Sequence, residues 1–201
     1  MALLLCSGGL SAAPCNTQTT PVVVLSITAA EVKLEDRTLR IQVGPEGCVL
    51  IHRPAYYKSA GTYRVQLSAT EFQQLTQHLS PALRSIDASA LHARIASAER
   101  NRTIAPEQHL SLSPGPGRSP TDAAHARSFD QQRFQVMDAD RYVLETRLEG
   151  AAASRLTFDG LLAYAEHYPE VPELQELGSL IGALQQLAMR NDAETAATVS
   201  P

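Results

Sequence analysis

The stretch "TLRIQVGPEGCVLIHR", Thr38 to Arg53, has two runs of strand-forming residues on either side of a Gly-Pro-Glu-Gly turn. Leu39, Ile41 and Val43 alternate with polar residues, which is typical of a strand with one buried face. Proline and glycine between two such runs indicate a hairpin. We therefore predict a β-hairpin over 38–53 with a four-residue turn, in which Val43 faces Cys48.

The segments around this hairpin predict more strands and then helices. Residues 22–28, "VVVLSIT", are aliphatic almost throughout, which indicates a strand covered on both faces, and "GTYRVQLS" at 61–68 alternates again. Ser68 and Glu71 have the spacing of a capping box and predict a helix that begins at Ala69 and stops at Ser80-Pro81. A second helix should open at Asp87 and run to about Arg100.

The same order of elements returns later in the chain. Residues 141–149 and 154–158 alternate as strands, and Asp159 is positioned to cap a helix that ends near Tyr168. A last helix should run from Pro172 to Arg190. Strands followed by helices, twice, predict an α+β fold: a largely antiparallel sheet with helices packed on one face.

Composition suggests how these elements are divided along the chain. Residues 15–102 and 133–190 carry the periodic patterns and should form one domain. Residues 103–132 are rich in Pro, Gly and Ser without apolar periodicity, so we predict a flexible loop there. The polar, Ala-rich segment 191–201 is predicted to be a disordered tail.

The first residues have the pattern of an export signal. The apolar run that starts at Ala2 ends in small residues, and the first charged residue is Glu31. Residues 1–14 are therefore predicted to be a signal peptide, since the run is too short to span a bilayer as a helix. This places the protein in the periplasm or outside the cell, without a transmembrane segment. A frayed apolar terminus of a cytosolic protein is the alternative interpretation.

Cysteine usage is consistent with the same compartment. Once a signal peptide is removed, Cys15 and Cys48 remain, and an oxidising compartment would let them form a disulfide. Such a bond would stabilise the fold by about 3 to 4 kcal/mol through chain entropy. Two free buried thiols are the alternative, whereas Pro14 disfavours lipidation of Cys15.

The sequence has few patterns that are typical of an enzyme active site. The chain of 201 residues contains no HExxH, CxxC, GxSxG or P-loop motif, so no cofactor is predicted. Asp138 and Asp140 are interpreted as an acidic turn between strands rather than a cation site. An exported hydrolase that uses His52 or His167 with distant carboxylates is the enzymatic alternative, and His92 is interpreted as structural.

The loop within "IHRPAYYKSAGTY" is the best candidate for binding. No acidic residue lies between Glu46 and Glu71, and we assign candidate binding roles to basic and tyrosine residues there: Arg53, Tyr56, Tyr57, Lys58 and Arg64. Tyrosine combined with arginine or lysine supplies contact area and pairs with anionic groups. The alternative is that the tyrosines fold back over the sheet edge.

These observations predict a function class rather than a reaction. We expect a non-enzymatic exported binding module whose 53–64 loop contacts an acidic protein or an anionic envelope polymer. The net charge of -4 argues against nucleic acid as a partner. An oligomer component that uses the apolar stripe of 174–188 is a third possibility.

Overall fold

A computed structural model describes most of the chain, namely residues 15, 19–79, 88–104, 134, 136–147, 153–190 and 194–195. Seven strands form one antiparallel sheet: β1 (Val23–Thr28), β2 (Thr38–Val43), β3 (Cys48–Arg53), β4 (Gly61–Gln66), β5 (Arg141–Thr146), β6 (Ser154–Asp159) and β7 (Glu194–Thr195). The same described ranges contain four helices: α1 (Ala69–Gln77), α2 (Ala88–Ile104), α3 (Leu161–His167) and α4 (Pro172–Ala188). The predicted α+β fold is confirmed.

Strand β1 joins the two halves of the chain. The sheet order is β6-β5-β1-β2-β3-β4-β7, so β1 pairs with β2 on one side and with β5 on the other. Leu25 lies opposite both Ile41 and Leu144 in these two ladders. The strands predicted from 22–53 and from 141–158 therefore belong to a single sheet.

One face of the sheet forms the core with the helices. Alternate residues of neighbouring strands, such as Ile41 and Ile51, point to this face and are fully buried. They belong to one apolar cluster with the buried stripe of α4, which contains Leu174, Leu177, Leu180, Ile181, Leu184 and Ala188. This stripe is therefore core within the monomer. The outer face carries mainly polar and charged side chains.

The hairpin turn differs from the prediction by one residue. Gly44 N–H donates to Cys48 O at 2.7 Å and Gly47 N–H to Gly44 O at 3.2 Å, so the loop is the three residues 45–47. Gly47 has φ 75°, the left-handed conformation that closes a three-residue hairpin loop. As a result Val43 pairs with Val49 rather than Cys48, and the predicted register was wrong.

The helix starts show one confirmed and one wrong prediction. Ser68 and Glu71 form the predicted capping box, with both reciprocal hydrogen bonds present. Asp159 does not cap α3, because it ends β6 and its carboxylate accepts a hydrogen bond from Arg141 Nε at 2.8 Å. The cap position is Gly160, whose φ of 70° turns the chain from strand to helix.

Two other boundaries were predicted incorrectly. Helix α2 continues to Ile104, into the segment assigned to the loop 103–132. The tail 191–201 was expected to be disordered, yet Glu194–Thr195 pairs with β4. The predicted signal peptide 1–14 and the rest of that loop lie outside the described residues. No helix in the described ranges combines the length and the apolar character needed to cross a bilayer.

A disulfide joins Cys15 to Cys48, the first residue of β3, with a Cα–Cα distance of 5.1 Å. The bond attaches the segment that precedes β1 to the turn end of the hairpin. A covalent link there limits the conformations of the unfolded chain and so favours the folded state.

We expect loss of this disulfide to lower the free energy of unfolding by about 3 to 4 kcal/mol. Denaturant unfolding of Cys15→Ser, Cys48→Ser and the double variant would measure the loss, in a Cys6→Ser background that prevents thiol exchange. Because one bond is shared, the two single variants and the double variant should lose nearly the same amount. Losses that add would show that the cysteines act separately.

Candidate functional site

In the loop between β3 and β4, residues 54–60, one tyrosine packs against the core and the other is exposed to solvent. Tyr57 N–H donates to Pro54 O at 3.0 Å, which closes a turn, and the Tyr57 side chain packs against the core cluster. Tyr56 is 40% exposed, and its ring centroid lies 5.0 Å from that of Tyr57. The alternative prediction, that both rings fold back, therefore describes Tyr57 but not Tyr56.

Arg53 is the residue that fixes this loop. It is only 7% exposed, and its guanidinium donates to Ala188 O from Nε and to Arg190 O from Nη2, both at 2.8 Å. These are carbonyls at the C-terminus of α4, where the backbone lacks helical partners and a cation is favourable. Arg53 thus joins the end of β3 to the end of the last helix.

The same guanidinium also holds the loop itself. Arg53 Nη1 donates to Ser59 Oγ at 2.7 Å, and its central carbon lies 4.2 Å from the ring centroid of Tyr63. The Tyr63 hydroxyl in turn donates to Ala60 O at 3.3 Å. All three nitrogens of Arg53 thus donate a hydrogen bond inside the fold, and these bonds hold the loop in position. The direct contact of Arg53 with a partner remains a prediction.

The structure does not bring the predicted binding residues into one cluster. Arg53 pairs with Gly61 and points to the inner face, whereas Arg64 pairs with Leu50 and lies on the outer face. Lys58 is exposed near the tip of the loop. Tyr56 and Lys58 therefore remain together on the loop, and Arg64 belongs to a separate surface.

Two carboxylates from distant parts of the chain act on the exposed ring of the loop. Burial, followed by the charges of Tyr57, Asp140 and Asp36, raises the pKa of Tyr56 to about 12. Asp36 Oδ1 also lies 3.0 Å from His52 Nε2 on the outer face. The acid-free interval from Glu46 to Glu71 in the sequence is therefore not an acid-free region of the folded surface.

An open cleft of about 380 Å³ lies near this end of the sheet. Its lining includes Glu31, Asp138, Asp140 and the inner-face residue Tyr142. Asp140 Oδ1 accepts a hydrogen bond from Ala30 N–H at 3.2 Å, so this carboxylate connects the turn before β5 to the loop after β1. Among the described residues no group of three or more His, Cys, Asp or Glu side chains could hold a metal.

The described histidines do not assemble a hydrolase site. The cleft lining contains no histidine. His167 is stacked on Phe134 with ring centroids 3.9 Å apart, and His92 on Phe158 at 4.9 Å. His52 has one described carboxylate partner, Asp36, on an open sheet face.

Sequence reasoning missed the groups that come from elsewhere in the chain. The carbonyls of Ala188 and Arg190 hold Arg53, and Asp36 and Asp140 set the charge around Tyr56. Backbone carbonyls have no side-chain signature, and proximity across the sheet is not visible in a linear charge count. Only the termination of β3 by Pro54 pointed to a fixed loop at this position.

No protein-family model matches the chain, and comparison with curated proteins and with solved structures gives no match.

We expect Arg53→Met to lower the free energy of unfolding by about 2 to 4 kcal/mol, because it leaves buried carbonyls without donors. Arg53→Lys should rescue little, since an ammonium cannot reach three acceptors with the geometry of a guanidinium. Arg40→Met, at an exposed position of β2, is the matched control and should change stability by less than about 0.5 kcal/mol. Equal effects of the two methionine variants in urea unfolding would contradict the role of Arg53.

The pKa of Tyr56 gives a prediction for alkaline pH. The folded-state pKa of about 12 lies above the ordinary value of 10.0, so the neutral phenol is favoured in the folded protein. This contribution to stability is complete below pH 10 and is lost as pH rises toward 12. An absorbance titration of the wild type, with that of Tyr56→Phe subtracted, should show ionisation of Tyr56 at a pH near 12. Asp140→Asn should lower this pKa only in part, because burial is the larger cause of the shift. A difference midpoint at the ordinary tyrosine value would contradict the described surroundings of Tyr56.

Proposed function

We propose that the protein is an exported, non-enzymatic binding module that contacts its partner through Tyr56 and Lys58. The partner is an acidic protein, and the contact is made by the tip of the loop 54–60. The loop is held in position by contacts of Arg53, Tyr57 and Tyr63 within the fold.

The observation that carries this proposal is an exposed tyrosine ring on a loop that is held in place by contacts within the fold. Tyr56 is 40% exposed, while Arg53 hydrogen-bonds the loop at Ser59 and Tyr57 packs against the core. A loop held in one conformation loses little entropy on binding. A tyrosine on such a loop supplies a large contact area with few rotatable bonds.

Charge around the loop favours a protein with separated acidic groups. Lys58 is exposed and forms no ion pair with a described residue, so it can pair with a carboxylate of the partner. Asp36 and Asp140 lie close enough to Tyr56 to raise its pKa, and they would repel a continuous polyanion. The anionic envelope polymer is for this reason the less favoured partner.

Export is supported by the cysteine pair. Cys15 and Cys48 are joined by a disulfide, a bond that persists in oxidising compartments and is rare in the cytosol. With the apolar pattern of residues 1–14, this favours the periplasm or the outside of the cell. The test is direct: cell fractionation should recover the oxidised protein outside the cytosol.

The hydrolase alternative has less support. It needs a histidine and two carboxylates together in a concave site. In the described part of the chain no histidine is among the residues that line the cleft, whereas His92 and His167 are stacked on phenylalanine rings. We therefore assign the loop, rather than the cleft, as the functional surface.

A crosslinking experiment tests this assignment. We expect a photoreactive phenylalanine analogue at position 56 to give a discrete adduct in the native host, because that ring contacts the partner. Met189 is 66% exposed and serves as the matched control position. In the same assay Lys58→Glu should reduce the adduct by more than about tenfold through charge repulsion.

The thermal unfolding of Tyr56→Ala with Lys58→Ala should stay within about 0.5 kcal/mol of wild type, because both side chains are exposed. Tyr57→Ala should be clearly destabilised, since that ring packs against the core. An adduct from position 189 as strong as from position 56 would rule out the loop as the specific contact.

A further inference from the structure

The outer edge of β4 is occupied by a very short strand of the same chain. Strand β4 has six residues, whereas the two-residue β7 pairs with Tyr63 and Arg64. Strand edges present N–H and C=O groups that accept a further strand. Because β7 is so short, most of the outer edge of β4 has no strand partner among the described residues.

The hydrogen-bond alternation shows which groups of β4 face that edge. Leu67 N–H donates to Gly47 O at 2.9 Å, on the side of β3. In an antiparallel ladder every second residue bonds to the same neighbour. The backbone groups of Thr62, Arg64 and Gln66 therefore point away from β3, and of these β7 pairs with Arg64.

Arg64 gives this edge a preference for acidic strands. Its Nε is buried and has no hydrogen-bond partner among the described residues, which is costly for a charged donor. The residue directly opposite Arg64 in β7 is Glu194. Oppositely charged residues at directly opposite positions stabilise a pair of strands by about 0.2 to 1 kcal/mol.

Arg190, the last described residue before β7, has hydrogen-bond and ion-pair partners of its own. Arg53 donates to Arg190 O at 2.8 Å, and Arg190 Nη1 lies 2.9 Å from Glu71 Oε1. Tethering keeps the tail at a high effective concentration near β4, although few strand pairs hold it there. A longer strand from another protein would also form hydrogen bonds with the outward N–H and C=O groups of Thr62 and Gln66.

We propose that the outer edge of β4 is a strand-addition site for an extended acidic segment of a partner protein. The partner places a carboxylate opposite Arg64, and residues 194–195 are a displaceable occupant of the same site. Strand addition provides affinity through main-chain hydrogen bonds and specificity through alternate side chains. This surface is separate from the tip of the 54–60 loop and does not depend on the function proposed for it.

The tail sequence itself supplies the probe. A labelled peptide of residues 191–199 is titrated into the full chain that carries Glu194→Pro and Thr195→Pro, which remove the pairing of β7 because proline donates no ladder hydrogen bond. We expect saturable binding, and at least about tenfold weaker binding to the unsubstituted protein, because its own tail competes. Amide exchange by NMR should show that the peptide protects Thr62, Arg64 and Gln66.

A charge exchange tests the role of Arg64. Arg64→Glu in the proline variant should weaken binding of the peptide several-fold, and a peptide with Glu194→Lys should restore it. Arg64→Gln is a second variant that avoids a charge reversal, and thermal unfolding verifies that both fold. Absence of saturable binding, protection away from these three amides, or affinities independent of the charge at position 64 would overturn the proposal.

Discussion

The organisation of this protein depends on the guanidinium of Arg53. It lies on the inner face at the end of β3 and donates to carbonyls at the C-terminus of α4 and to the hydroxyl of Ser59. A charged group buried at this position is favourable because each of its three nitrogens donates a hydrogen bond and the helix end is negative. The interaction fixes the last helix against the sheet and at the same time fixes the base of the loop.

In this arrangement the residues that hold the loop in place differ from those that face the solvent. Arg53, Tyr57 and Tyr63 are used within the fold, while Tyr56 and Lys58 remain accessible. Carboxylates from two other loops add negative charge beside the accessible ring. The proposed recognition of a protein surface rests on this arrangement, because the shape and charge pattern of the loop are set before binding.

Local patterns predicted the elements well, and long-range contacts could not be predicted. The capping box at Ser68 and the alternation in β2 and β5 act over a few residues, so they were visible in the sequence. The hairpin register was missed because Gly47 adopts a left-handed conformation within a shorter turn. The loop was predicted as a candidate site, but the inward orientation of Arg53 depends on α4, more than one hundred residues later in the chain.

The central position of β1 has a consequence for biosynthesis. Its partner β5 is made long after β1 itself, so the chain up to α2 has an aliphatic strand with one open edge. Contacts so distant in sequence slow folding, and an open edge of this kind invites association with other chains. A nascent chain must therefore be kept from aggregating until β5 has emerged, and a fragment that stops before β5 would be a poor candidate for recombinant expression.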